Sequence, residues 1–167
     1  MRERWFILAE LCKKIGAETV AEIGVSRGIN ASRWLDLCPE ITKIYLVDLD
    51  NSVFDTGLFL NHGQKKISFI KKNSIEAAKD VPDGLDFVFI DADHGYQAVK
   101  DDIDAWLPKV RQGGIIAGHD YMKEHNKHSE VRLAVNAKFA EVNLEQDTLE
   151  NGNIYVWWFR KGIVRAT

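Results

Sequence analysis

The stretch 19-TVAEIGVSRG-28 sets Val20, Ala21 and Ile23 around Glu22, then places Gly24 and Gly28 at the two ends of a short turn. A short apolar run stopped by glycine reads as a buried strand. The residues that follow, INASRWLDLC, put Ala31, Trp34, Leu35 and Cys38 on one side of a helix. The local unit is therefore strand, glycine turn, helix. Such a turn lets a ligand approach bare backbone in front of a helix N-terminus, so this stretch is a candidate binding site.

Working outward, residues 3–15 predict a helix with Trp5, Leu8, Leu11, Cys12 and Ile15 at three- and four-residue spacing, stopped by Gly16. Further strands are expected at 43–47, 67–70, 85–90 and 115–118. Helices are expected at 29–37, from the Asn73-Ser74 cap to Lys79, at 96–107 and at 130–140, and 52–62 looks helical around Phe54, Leu58 and Phe59. A last pair of strands, 141–145 and 154–160, is joined by a polar turn at 150–153. Strands alternating with helices imply parallel pairing through right-handed crossovers, and the closing pair implies an antiparallel hairpin. The expected fold is α/β: a Rossmann-like open, mostly parallel seven-stranded sheet with helices on both faces and a C-terminal antiparallel hairpin. It is read as a single domain over residues 1–167.

Composition narrows the function classes. With 46% apolar and 28% charged residues the chain is that of an ordinary globular protein. A formal net charge of -3 argues against a nucleic-acid partner. No apolar run approaches the ~20 residues that span a bilayer, so no membrane partner is expected. The N-terminus starts with basic residues, but Glu3 and Glu10 interrupt it and no small-residue cleavage site follows, so it reads as an amphipathic helix. Cys12 and Cys38 fall on apolar-leaning helix faces and read as buried free thiols in a reducing compartment; a cytoplasmic location is expected. Trp157 and Trp158 alternate across the last strand and read as packing residues. The pairs Lys13-Lys14, Lys65-Lys66 and Lys71-Lys72 read as solvated surface.

Ligands of open α/β sheets sit beyond the carboxyl ends of the strands. Those ends read Glu22–Gly28, Asp48, Asn73-Ser74, Asp91–His94 and His119–Tyr121, each polar or glycine after an apolar strand. Asp48 follows Gly28 by about 20 residues, the spacing at which an acid meets ribose hydroxyls. Two other motifs fit less well. Gly24–Gly28 satisfies G-x-S-x-G, but the nucleophile elbow of hydrolases follows several strands, and here only one helix precedes it. A nicotinamide dinucleotide turn would need G-x-G-x-x-G, and Ser26 stands where its second glycine belongs.

Taken in order, EIGVSRG before a helix, the acid at Asp48, FIDADHGY at 89–96, GGIIAGHDY at 113–121 and the terminal hairpin resemble a class I S-adenosylmethionine-dependent methyltransferase. They are most similar to the small O-methyltransferases of the catechol and caffeoyl-coenzyme A type, and to a bacterial subgroup with an IDGDH…GG…DDY pattern that includes macrolide-sugar O-methyltransferases. The resemblance covers about residues 18–160. It implies that Glu22 and the turn Gly24, Val25, Ser26 and Gly28 hold the methionine part of S-adenosylmethionine, with Asn30 at its carboxylate. Asp48, with Leu49 beside it, would take the ribose. Asn73 and Ser74 would meet the adenine edge by side chain or backbone, and Asp91 would lie beside the transferable methyl.

The same resemblance implies a divalent metal, Mg or Mn, on Asp91 and Asp120. His119 is the third ligand if the register follows relatives with an adjacent acidic pair. Where relatives have Asp-Asn, the asparagine position falls on Tyr121, a poor ligand for magnesium. His94 stands where catechol-type relatives place a lysine base, and imidazole suits that role. Glu124, His125, His128 and Glu130 border a polar loop, 122–128, that is a candidate lid. The expected activity is O-methylation of a small hydroxylated acceptor, a sugar or a phenol, in a pocket either open or completed by a second subunit; the resemblance is compatible with a homodimer. The alternatives are a non-catalytic adenosyl-ligand-binding protein of the same fold and an NAD-dependent oxidoreductase.

Overall fold

The computed structural model describes residues 3–63, 66–122, 130–148 and 154–162. Its elements run α1 (Arg4–Ile15), β1 (Thr19–Ile23), α2 (Ile29–Leu37), β2 (Lys43–Asp48), β3 (Ile67–Lys71), α3 (Ser74–Asp80), β4 (Leu85–Ile90), α4 (Tyr96–Trp106), β5 (Val110–Met122), α5 (Glu130–Lys138), β6 (Asn143–Gln146) and β7 (Ile154–Arg160). The strands form one seven-stranded sheet in the order β3-β2-β1-β4-β5-β7-β6. β1 to β5 pair in parallel, while β7 runs antiparallel to both β5 and β6. Strand order therefore reverses between β1 and β4, where a crevice opens at the carboxyl ends.

The pleat sorts the apolar residues onto two faces. Val20, Phe87, Phe89, Ile115 and Ala117 pack with Leu8, Trp34 and Leu35 of α1 and α2. Ala21, Ile23, Val88, Ile90 and Ile116 pack with Ala77, Ile103, Trp106 and Val135 of α3, α4 and α5. Burial on both sides is why these strands read as nearly unbroken apolar runs. Glu22 is the exception: its place in the alternation puts it on the α1–α2 face, where it is buried.

Three expectations change. Residues 52–62 form no α-helix; a 3-10 turn covers Thr56–Phe59, started by Asp55, whose carboxylate accepts from the Gly57 N–H, and Phe54 stacks on Phe59. β5 is much longer than 115–118. A register irregularity opposite Leu85–Phe87 absorbs the glycine pair 113–114, and another between Gly118 and Tyr121 carries His119–Tyr121 within the strand, with Asp120 at φ 55°. Bulges of this kind re-aim side chains next to functional sites, and glycines inside them mimic a turn in the sequence. The strand expected at 141–145 lies at Asn143–Gln146. Loop 122–128 beyond Met122 and the turn 150–153 lie outside the described residues.

Cys12 and Cys38 are free and buried. Trp157 packs in the α3–α5 core, and Trp158 packs on the other face beneath Lys14. No helix among the described residues is long and apolar enough to cross a membrane. Trp34 meets Phe87 edge-on at 5.3 Å and is fully buried. Trp34→Ala is expected to lower unfolding free energy by roughly 3–5 kcal/mol, the usual range for emptying an aromatic core site; denaturant titration checks it, and a change below about 1 kcal/mol would remove Trp34 from the core.

Candidate functional site

A cavity of about 1030 Å³ lies over the carboxyl ends of β1, β2 and β4. Its floor is the glycine turn. Gly24 has φ +85°, and a β-carbon there would fall 2.1 Å from the Asp91 carbonyl oxygen, so the backbone after β1 lies directly against that after β4. Gly28, also at φ +85°, is held close beneath the rings of Phe54 and Phe59. Asp48 at the end of β2 fixes the turn between them: its Oδ2 accepts from the Val25 and Ser26 N–H groups, both at 2.8 Å. Leu49 beside it is exposed at the cavity edge.

Glu22 is 1% exposed, and its Oε1 accepts from Asn30 Nδ2 at 2.8 Å. Glu22 Oε2 and Asn30 Oδ1 are buried with no hydrogen-bond donor among the described residues. Both residues line the cavity. Buried polar atoms without partners cost folding free energy, so such a pair beside a cavity is a candidate place for a ligand's polar groups. Burial pushes the Glu22 carboxyl up to about 8, against the Asn30 hydrogen bond that lowers it.

At the end of β3, Asn73 caps α3 through its side chain, accepting from the Ile75 N–H at 2.9 Å. Ser74 Oγ accepts from Trp106 Nε1 at 2.8 Å and also meets Asp102 of α4.

At the end of β4 the geometry becomes a charge cluster. His94 Nε2 lies 3.0 Å from Asp120 Oδ2 and 3.8 Å from Asp91 Oδ1. One ligand atom from each of Asp91, His94 and Asp120 falls within 4.8 Å of the others, a spacing that a metal ion could bridge. His119 lies against the same carboxylates: its Nδ1 is 3.1 Å from Asp120 Oδ2 and 3.9 Å from Asp91 Oδ1, and its Nε2 is 3.1 Å from the fully buried Asp147. The structure thus brings Asp91 and Asp120 together with both His94 and His119, and His119 is the buried one of the two. The bulge at Asp120 is what re-aims this pair. The close Asp120 carboxylate, and the Asp91 carboxylate beyond it, push His94 up to about 10. Burial disfavours charge on Asp120, but donors from His119 and His94 outweigh it and hold its carboxyl far below the usual range.

Three participants have no clear signal in the sequence. Arg4 Nη1 reaches across from α1 to Asp91 Oδ2 at 2.7 Å, and its Nε lies 3.5 Å from Asp147. Arg4 reads as one charge in a basic helix start, Asp147 as a polar residue after a strand, and Asp102 as one of two adjacent acids on a helix.

Comparison with known proteins agrees with this geometry. A family model described as a methyltransferase domain matches residues 21–121. A tapetum-specific methyltransferase of Arabidopsis thaliana is 31% identical over 117 residues, 66% of this chain and 49% of that protein. A flavonoid 3',5'-methyltransferase of Vitis vinifera is 31% identical over 119 residues, 66% of this chain and 50% of that protein. The chain spans about half the length of these curated relatives. Among solved structures, an O-methyltransferase from Bacillus cereus in complex with SAH superposes with a TM-score of 0.72 at 16% identity, over 93% of this chain and 79% of that one.

The folded protein keeps a proton on Glu22 between its ordinary value of 4.5 and about 8, where the unfolded chain has released it. The contribution of this group to stability is therefore complete below about pH 4.5 and lost as pH rises through about 8. Glu22→Gln is expected to flatten that part of the pH dependence, so that melting temperature falls less between about pH 5 and about pH 9 than in the wild type; parallel slopes would contradict the buried, raised carboxyl.

Proposed function

The chain belongs to the methyltransferase-domain family, and we propose that it transfers a methyl group from S-adenosylmethionine to an oxygen of a small hydroxylated acceptor. The observation that supports this most strongly is the buried pair Glu22 Oε2 and Asn30 Oδ1, two polar atoms without partners among the described residues beside the glycine turn; a bound ammonium would draw Glu22 into its ionised, accepting form. These residues fit the amino-acid end of the cofactor, since an ammonium group supplies the missing N–H donors. Gly24, lacking a β-carbon, leaves the backbone open beside them. Asp48 would take the ribose hydroxyls, with the Asn73-Ser74 segment at the base. When bound, S-adenosylmethionine supplies an electrophilic methyl on a cationic sulfur.

The chain's own residues then have to orient the acceptor and manage its proton. Asp91 and Asp120 present carboxylates at the rim, and His94, half-exposed between them, is within reach of an acceptor hydroxyl. Held in the wild-type protein by two carboxylates, His94 is a cation and serves as a hydrogen-bond donor to the acceptor oxygen. It becomes a base when positive charge is brought to Asp91 and Asp120. Asp91 and Asp120 would hold a divalent ion, Mg or Mn, as oxygen donors, and such an ion would lower the pKa of a coordinated hydroxyl whose proton His94 then takes. A phenol is the acceptor best supported by the likeness to the grapevine flavonoid enzyme; a sugar hydroxyl is the other candidate.

One observation favours a second reading. Arg4 already neutralises Asp91, as would suit a protein that binds an adenosyl ligand without turning it over. Two measurements separate the readings. S-adenosylhomocysteine is expected to bind in calorimetric titration, and Asp48→Ala is expected to weaken it at least tenfold; absence of binding to the wild type would overturn both. Incubation with S-adenosylmethionine, Mn and phenolic acceptors is expected to yield methylated product at a rate that His94→Ala lowers by roughly 10²-fold or more, the size of general acid–base effects. Binding with no product from any phenol or sugar would favour the binding-protein reading.

A further inference from the structure

The cavity extends beyond the strand ends to α4, where Ala98, Asp101 and Asp102 line it together with Asn73 and Ser74. It therefore runs from Glu22 on the α1–α2 face of the sheet, over the carboxyl ends, to the α3–α4 face. Asp102 is 5% exposed and lines this far end. A carboxylate so deeply buried is costly unless something uses it. Its setting is specific. Trp106, four residues on and thus on the same side of α4, donates its Nε1–H to Ser74 Oγ at 2.8 Å. The single hydroxyl proton of Ser74 is then free to turn toward Asp102, the carboxylate it interacts with. Among the described residues no lysine, arginine or histidine pairs with Asp102. It is a buried acceptor beside one hydroxyl, with lone pairs to spare.

Given that the site binds an adenosyl ligand, as proposed above, we infer that Asp102 is a specificity-determining residue that accepts a hydrogen bond from the exocyclic amino group of the base. The Trp106–Ser74–Asp102 chain orients it. Asn73, whose side chain is committed to capping α3, leaves this reading role to Asp102. A base carrying an amino group at the six position offers the donor a carboxylate needs. A base with a carbonyl there sets oxygen against oxygen, and a site built to accept from an amino group rejects an analogue that cannot donate. Burial pushes Asp102 up to about 6, so the carboxylate is the form present above neutral pH.

The test uses the full chain and two ligands differing only at that position, S-adenosylhomocysteine and S-inosylhomocysteine, titrated calorimetrically at about pH 8. The wild type is expected to bind the adenosyl ligand at least tenfold more tightly than the inosyl one. Asp102→Asn, whose amide can donate to a carbonyl, is expected to bring the ratio close to one by weakening the first and strengthening the second. Ser74→Ala, which releases the carboxylate without removing it, is expected to lower the ratio in the same direction and serves as the readout if Asp102→Asn does not fold. A ratio that survives Asp102→Asn, or equal weakening of both ligands, would reduce Asp102 to a structural residue and overturn the inference while leaving the adenosyl site intact. Failure of the wild type to bind S-adenosylhomocysteine at all would overturn the site itself and the inference with it.

Discussion

The Asp91 carbonyl oxygen occupies the place that a β-carbon at position 24 would need. That close approach of two neighbouring strand ends is the constraint on which the rest of the site depends. It is possible because β1 and β4 pair in parallel across the reversal of strand order, with Ile23 opposite Ile90 and the Asp91 N–H bonded to the Ile23 carbonyl at 2.7 Å. The left-handed glycine then swings the chain away, and Asp48 gathers the next two N–H groups onto one carboxylate oxygen. The turn is thus fixed from both flanking strands. Glu22, one residue inside the strand, is carried by the pleat onto the face where Asn30 can reach it.

Around that frame the charges divide into two kinds. At the Asp91 end, the carboxylates of Asp91, Asp120 and Asp147 are met by Arg4, His94 and His119, so the cluster is paired internally as it stands. Any cation that enters must compete with these internal partners. At Glu22 and Asp102 the carboxyls are buried with hydrogen-bond donors but no pairing cation, and burial raises both. The first kind is an ionic network that can exchange partners. The second kind has hydrogen-bonding capacity left over, which makes these groups the candidates for meeting a ligand.

What could be read from the residues alone follows the same division. The strand–turn–helix unit at 19–37 is a local pattern of apolar run, glycine and helical spacing, and the structure has it at the same boundaries. The strand ends were legible because carboxylates after apolar runs stand out, and Glu22, Asp48, Asn73 and Asp91 do line one cavity. Which of the two candidate rings is the exposed one was not legible: His94 and His119 both approach Asp91 and Asp120, and the bulge at Asp120 sets His119 inside β5 as the buried member. Arg4 and Asp147 lie far from that bulge in the chain, and nothing local announces that a helix start and the residue after an edge strand meet. The strand expected at 115–118 starts earlier, at Val110, because glycines 113 and 114 lie in a bulge, and a bulge within a strand and a turn between strands use the same residue.

A crystal structure of the full chain grown with S-adenosylhomocysteine tests the central claim most directly. The account predicts ligand density along the rim from Glu22 to Ser74, with a ligand donor within about 3 Å of Glu22 Oε2, the range of a hydrogen bond. A ligand seated elsewhere, or a Glu22–Asn30 pair whose unmet acceptors are satisfied by the protein's own groups, would contradict it.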